Sequence, residues 1–259
     1  MTIIKSFLFS ITLCLYLLSS PLVKSAEWEE IQARGKIIVG VKDNLPPLGF
    51  TDQNGNLQGF EIDLAHKLAE ELLGDKQAIK FVPLLNQDRL NAVIEDDVDI
   101  AIASITFNSS RQRLVDFSDI YYFSGTGIIV KKNQFLSNIR DISGKIGILN
   151  NSRAIAEIQY QFPQLSLQGV SSYQEALELM EKGEIQGFAG DVMVLTGITQ
   201  QTSNYQLLPQ IIGAYPIAIA LPKGRQYQSL RNQVNQVMRK LRQEDWFKEK
   251  AKFWGLPSI

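Results

Sequence analysis

Ala103-Ser104-Ile105-Thr106 closes an apolar run and Arg111 follows it, which puts two hydroxyls, loop backbone groups and a fixed cation where a strand gives way to a loop. Serine and threonine hydroxyls can donate to a carboxylate or accept from an ammonium. A guanidinium fork meets a carboxylate with two parallel donors and stays charged at any relevant pH. Together they suit a small zwitterion. The same residues also make an ordinary solvated turn followed by a surface arginine, because small polar residues fill loops.

Those groups need a frame, and the chain alternates strand and helix signals almost throughout. Lys36 to Val41 is a β-branched run, and Phe50-Thr51-Asp52-Gln53-Asn54-Gly55 carries an Asn-Gly turn that predicts a hairpin returning to Phe60. Ile62, Ala65, Leu68, Ala69 and Leu72 fall at helical spacing, with Gly74 as a stop. Ile79 to Pro83 reads as a strand, Leu90, Val93 and Ile94 as a short helix, and Val98 to Ala103 as the next strand. The second half restarts the pattern with strands at Gly127 to Val130 and Lys145 to Leu149. Asn150-Asn151-Ser152 then offers caps for a helix from Arg153, and Ser172 with Glu175 predicts a capping box. Ile185 to Ala189 is a strand, Asp191 stands at the head of the next helix, and Ile217 to Leu221 is a further strand. Leu230, Val234, Val237 and Leu241 form one apolar helix stripe. Two α/β units with largely parallel sheets follow from this order.

The first residues bound where such a protein works. Lys5, an apolar stretch from Phe7 to Leu18 and Ser19-Ser20-Pro21 read as a secretory signal over 1–25, cut after Ser25. The apolar core falls short of the roughly 20 residues that span a bilayer; a retained anchor is the alternative. The single cysteine, Cys14, lies inside the signal, so the mature chain is expected to have no disulfide, thiolate metal site or catalytic thiol. Loss of Lys5 and Lys24 takes the 26 basic residues to 24 against 27 acidic ones, 24 − 27 = −3, with no basic run. Nucleic acid and anionic membrane surfaces are poor partners for such a chain. His66, the only histidine, lies on the helix between Ile62 and Leu73 with no metal-ligand spacing around it and reads as a surface residue. No cofactor or metal is expected.

The chain resembles the amino-acid-binding proteins of ABC importers, solute-binding protein family 3. The resemblance runs from about Ile38 to Leu256. It is carried by Val39-Gly40-Val41-Lys42, Gly59-Phe60-Glu61-Ile62-Asp63-Leu64-Ala65, Val98-Asp99 to Arg111, Val115-Asp116-Phe117-Ser118 with Tyr121-Tyr122, Gly190-Asp191 and Phe253-Trp254-Gly255. Their joint order and spacing are specific where each piece alone is not. The resemblance implies a type II periplasmic-binding-protein fold, α/β and two-lobed. Each lobe is an open mixed sheet flanked by helices, and two hinge segments join them. Lobe 1 is expected over 26–124 plus 214–259 and lobe 2 over 125–213. Ligands in such sheets collect at the carboxyl ends of strands, so the cleft between the lobes is the expected site.

The same resemblance implies roles. Arg111 clamps the α-carboxylate, helped by the backbone near Thr106 and by Ser152 at a helix N-terminus across the cleft. Asp191 takes the α-ammonium with Thr106 and the carbonyl of Ser104. Plain capping remains the alternative for Ser152, and a helix first-turn acid for Asp191. Lys42 and Arg89 stand where the aspartate- and glutamate-binding branch carries cations for the side-chain carboxylate, and Lys42 to Phe50 is similar to that branch. Leu48 stands where binders of basic or aromatic amino acids carry a ring. Two cations in one pocket disfavour lysine and arginine. Asp43 beside Lys42 leaves glutamine or asparagine as the competing ligand. Asn151 and Gln186 depart from the family's usual Gly and Asp; Asn tolerates a left-handed backbone, so the first departure is mild.

The expectation is therefore a monomeric periplasmic receptor, not an enzyme, that captures glutamate or aspartate and presents it transiently to a membrane ABC permease. One rival on the same fold is an exported cyclohexadienyl dehydratase, which needs a cleft acid with a raised pKa. A sensor or channel ectodomain is another.

Overall fold

The computed structural model describes residues 27–152 and 154–257. The expected signal, its cleavage point, Cys14 and the predicted helix start at Arg153 lie outside them. Among the described residues no helix is long and apolar enough to cross a membrane.

Helix α1 (Trp28–Arg34) buries Trp28 and Ile31, carries Glu29 and Glu30 in its first turn and ends at left-handed Gly35. It leads into β1 (Ile37–Val41), buried at every position as a strand covered on both faces should be. Alternation then sorts its side chains. Ile37, Val39 and Val41 join one core cluster, and Ile38 joins the other with Val93, Val98 and Ala220.

A small sheet follows, of β2 (Asn44–Leu45), β3 (Gly49–Thr51) and β4 (Leu57–Gln58). The Asn-Gly turn forms, with the Asp52 carboxylate accepting from the backbone N–H groups of Asn54 and Asn56. The hairpin stops short of the predicted Phe60, however, because Gly59 turns the chain at φ 136. A Cβ there would come within 2.2 Å of the Leu48 carbonyl oxygen. Phe60 instead opens α2 (Phe60–Leu73), which ends at left-handed Gly74. The chain continues through β5 (Ile79–Pro83), α3 (Asn91–Ile94), β6 (Ile100–Ile102), β7 (Asp116–Phe117) and the long β8 (Tyr122–Lys131).

In the second half come β9 (Lys145–Leu149), α4 (Ala154–Gln161), β10 (Ser166–Val170), α5 (Tyr173–Lys182), β11 (Gly187–Asp191), α6 (Val192–Gln201) and β12 (Tyr205–Leu207). Ser172 caps α5 by accepting from Glu175 N–H, but the reciprocal half of the predicted capping box moves one residue back, onto Ser171. The run read as one strand, Ile217 to Leu221, is divided between two. Strand β13 (Ile212–Ile217) pairs with β8, and β14 (Ala220–Leu221) pairs with β6 and β7. Helices α7 (Gln228–Gln243) and α8 (Trp246–Phe253) finish the chain, and the predicted stripe of α7 is buried in full.

Two lobes result. One is built on the sheet β5-β1-β6-β14-β7, the other on β10-β9-β11-β8-β12 with β13 beside β8. Strands β8 and β13 are antiparallel partners from Tyr122↔Ile217 to Thr126↔Ile212, so the chain passes between sheets twice at adjacent places.

Candidate functional site

The carboxyl ends of β1 and β6 bring five of the expected residues together. Lys42 follows β1, is 3% exposed, and donates from Nζ to the Leu84 carbonyl at 2.8 Å. Arg89, just before α3, donates from Nη1 to the carbonyls of Ala103 at 2.7 Å and Ser104 at 2.9 Å. Arg111 reaches back to the Thr106 carbonyl at 2.9 Å. Ser104 sits at φ 53, a left-handed conformation that a residue with a Cβ keeps only when its surroundings fix it.

What fixes it is a residue not singled out from the sequence as part of the site. Glu61, in the first turn of α2, is fully buried and accepts from Ser104 N–H at 2.7 Å and from the Tyr121 hydroxyl. Its Oε2 has no hydrogen-bond partner. Burial pushes the Glu61 carboxyl up, while Tyr121, Ser104 and the charges of Arg89 and Lys42 pull it down. Lys42 is lowered by burial first and Arg89 next, with Asp43 and Glu61 opposing. Arg89 is lowered by burial and then by Arg111. Lys42, Arg89, Arg111 and Glu61 therefore share one electrostatic neighbourhood. Phe60, Ile62, Leu64 and Ala65 signal burial at the start of α2, but not what the Glu61 carboxylate meets there.

The second sheet contributes the other two residues. Asp191 ends β11 and caps α6, its Oδ1 accepting from Met193 N–H at 2.9 Å and from the Ser124 hydroxyl at 3.1 Å. Ser152 lies past β9, where its hydroxyl oxygen accepts from Ala154 N–H at 3.3 Å. Strands β9 and β11 are parallel neighbours, so both residues come out at the same edge of the sheet. Asn151 beside Ser152 is at φ 60, a backbone that asparagine takes more readily than most residues. Burial and then the charge of Asp191 push the Tyr173 hydroxyl up to about 12, and the same two causes raise Tyr122. Ser124, Tyr122 and Tyr173 thus gather about Asp191, and polar aromatics in strand-rich segments gave no sign of it.

Several details differ from the sequence expectation. The Ser104 carbonyl, expected to meet an ammonium, already accepts from Arg89, although its second lone pair remains. Leu48 is 1% exposed and packs in the lobe core. Gln186 has a structural job: its Oε1 accepts from Ser143 and Gly144 N–H and holds the turn before β9. His66 is half-buried, with Nδ1 2.8 Å from the Lys76 carbonyl oxygen and its ring edge-on to Phe81. A cavity of about 730 Å³ lies elsewhere, between the Tyr121–Phe123 segment and α8, and none of the seven expected residues lines it.

The family described as bacterial extracellular solute-binding proteins, family 3, matches residues 37–257. The ABC transporter glutamine-binding protein GlnH of Bacillus subtilis is 27% identical over 227 residues, 86% of this chain and 82% of that one. A glutamine-binding protein of Geobacillus stearothermophilus is 29% identical over 198 residues, 75% of this chain and 76% of its own length. Among solved structures, an ancestral cationic amino acid solute-binding protein superposes with a TM-score of 0.73 at 25% identity, covering 88% of this chain and 99% of that one.

Proposed function

From the premise that the chain belongs to the bacterial extracellular solute-binding proteins of family 3, we propose that it captures an acidic amino acid, glutamate or aspartate, between its lobes. The observation that carries this reading is the excess of cations at the end of the first sheet. Arg89 acts on Lys42 and Arg111 acts on Arg89, with Asp43 and Glu61 as the carboxylates that oppose them.

In this reading Arg111 and the backbone near Thr106 hold the α-carboxylate, with Ser152 facing it from the second lobe. Asp191 holds the ammonium together with Thr106 and the Ser104 carbonyl. Lys42 and Arg89 read the distal carboxylate. The paired crossings of β8 and β13 act as the hinge, dividing 26–124 with 214–259 from 125–213. A ligand touching both lobes binds the closed state better than the open one, and that difference alone drives closure. Micromolar affinity requires about 8 kcal/mol, and charge-assisted hydrogen bonds contribute about 1.5–3 kcal/mol each before ordering costs. The closed monomer, exported to the periplasm, then docks transiently on an ABC permease.

Glutamine is the second reading. Two relatives carry that ligand in their names, and Lys42 and Arg89 both spend donors on backbone carbonyls. A dehydratase is disfavoured: the acid that burial pushes up, Glu61, is fully buried beneath Ser104 and offers no proton to a cleft ligand. Thermal unfolding of the mature protein with each common amino acid tests the proposal. Glutamate or aspartate should raise the melting temperature most, glutamine less, lysine and arginine not at all. A shift with glutamine alone overturns the side-chain assignment.

A further inference from the structure

Glu61 is the one buried charged group of the cluster that the ligand contacts leave unexplained. It is fully buried, within one hydrogen bond of the binding turn, and its free Oε2 has not been satisfied by any neighbour. Carboxylates are placed this way at a steep desolvation penalty unless nearby charge offsets it. Here the charged and titratable groups facing it are Lys42 at the end of β1, Arg89 before α3 and Tyr121 before β8. No ion pair within 4 Å ties Glu61 to either cation among the described residues, so it acts on them through space rather than by locking their donors.

We propose that Glu61 is a positioning and specificity-determining residue whose negative charge, lying behind Ser104, sets how strongly the site prefers a distal carboxylate over a carboxamide. The proposal rests on the ligand class inferred above. With Glu61 charged, part of the field of Lys42 and Arg89 is cancelled before it reaches the ligand, which leaves the pocket open to glutamine as well as glutamate. With the charge removed, the pocket becomes more cationic and discriminates more sharply. Glu61 also fixes the left-handed Ser104, so a purely structural role predicts something different: equal weakening for every ligand.

Glu61→Gln separates the two roles, since its amide oxygen can still accept from Ser104 N–H. Calorimetric titration of glutamate and glutamine into both proteins should show the ratio of their dissociation constants moving about tenfold toward glutamate. That is the size of effect expected for one charge about 12 Å away at an effective dielectric of about 20. An equal change for both ligands overturns the proposal. The wild-type protein gives a second measurement in case the variant does not fold. Its preference for glutamate should grow as pH falls through the raised Glu61 pKa, followed down to where the ligand's own carboxylate begins to protonate. A preference that stays flat or falls contradicts the proposal. If the wild-type protein binds neither ligand, it is the functional reading that fails, and Glu61 is not at issue.

Discussion

Gly197 on α6 lies so close to Pro46 that a Cβ on it would come to 2.3 Å from the Pro46 carbonyl oxygen. Pro46 belongs to the small sheet region of the first lobe and α6 to the second, so the lobes touch here as well as at the strand crossings. Nearby, Gln200 Nε2 donates to the Trp254 carbonyl at 2.7 Å and ties the same helix to the end of the chain. In an exposed helix Gly→Ala gains about 1 kcal/mol from propensity, whereas overpacking against fixed backbone costs about 1–3 kcal/mol. Gly197→Ala should therefore be destabilising and should separate the lobes at this contact. Thermal unfolding and the radius of gyration from solution scattering check it: a more stable, equally compact variant contradicts the contact.

The buried Asp99 anchors the start of the first sheet by accepting from Ile38 N–H at 2.7 Å and from Arg34. Arg34 is partly exposed and can rehydrate, but the Ile38 N–H cannot. Asp99→Ala should lower stability by about 2–3 kcal/mol, mostly through that orphaned donor. Urea unfolding measures it, and a loss below about 0.5 kcal/mol marks the pair as no better than a surface ion pair.

Arg89 has two separable tasks, because it holds the carbonyls of Ala103 and Ser104 and also supplies charge. Arg89→Met should weaken glutamate roughly a hundredfold and glutamine roughly tenfold, the difference being one charge-assisted hydrogen bond of about 1.5 kcal/mol. Equal losses confine Arg89 to holding the turn.

The pH dependence of stability follows from the raised Glu61 carboxyl. Its folded-state affinity for a proton exceeds that of the unfolded chain, whose ordinary value is 4.5. The folded state therefore binds more protons, and this contribution is lost as pH rises from there through the folded pKa. Relative to the wild type, Glu61→Gln should gain stability as pH increases across that window. A difference that is constant with pH contradicts a buried carboxylate.

How much of this was legible in the sequence depended on whether a signal was local. The α7 stripe and the burial of β1 follow from spacing alone. The run Ile217 to Leu221 does not reveal that Ile217 pairs with Tyr122 in one sheet while Ala220 pairs with Ala101 and Phe117 in the other. An apolar run says that it is buried, not by what. Glu61 was hidden for the same reason, since Ser104 and Tyr121, which define its role, are distant in the chain.

A crystal structure of the protein grown with L-glutamate tests the central claim most directly. The α-carboxylate should lie on the Arg111 guanidinium, the ammonium on Asp191, and the distal carboxylate between Lys42 and Arg89. Glutamate bound the other way round, or seated in the cavity beside α8, would contradict the account.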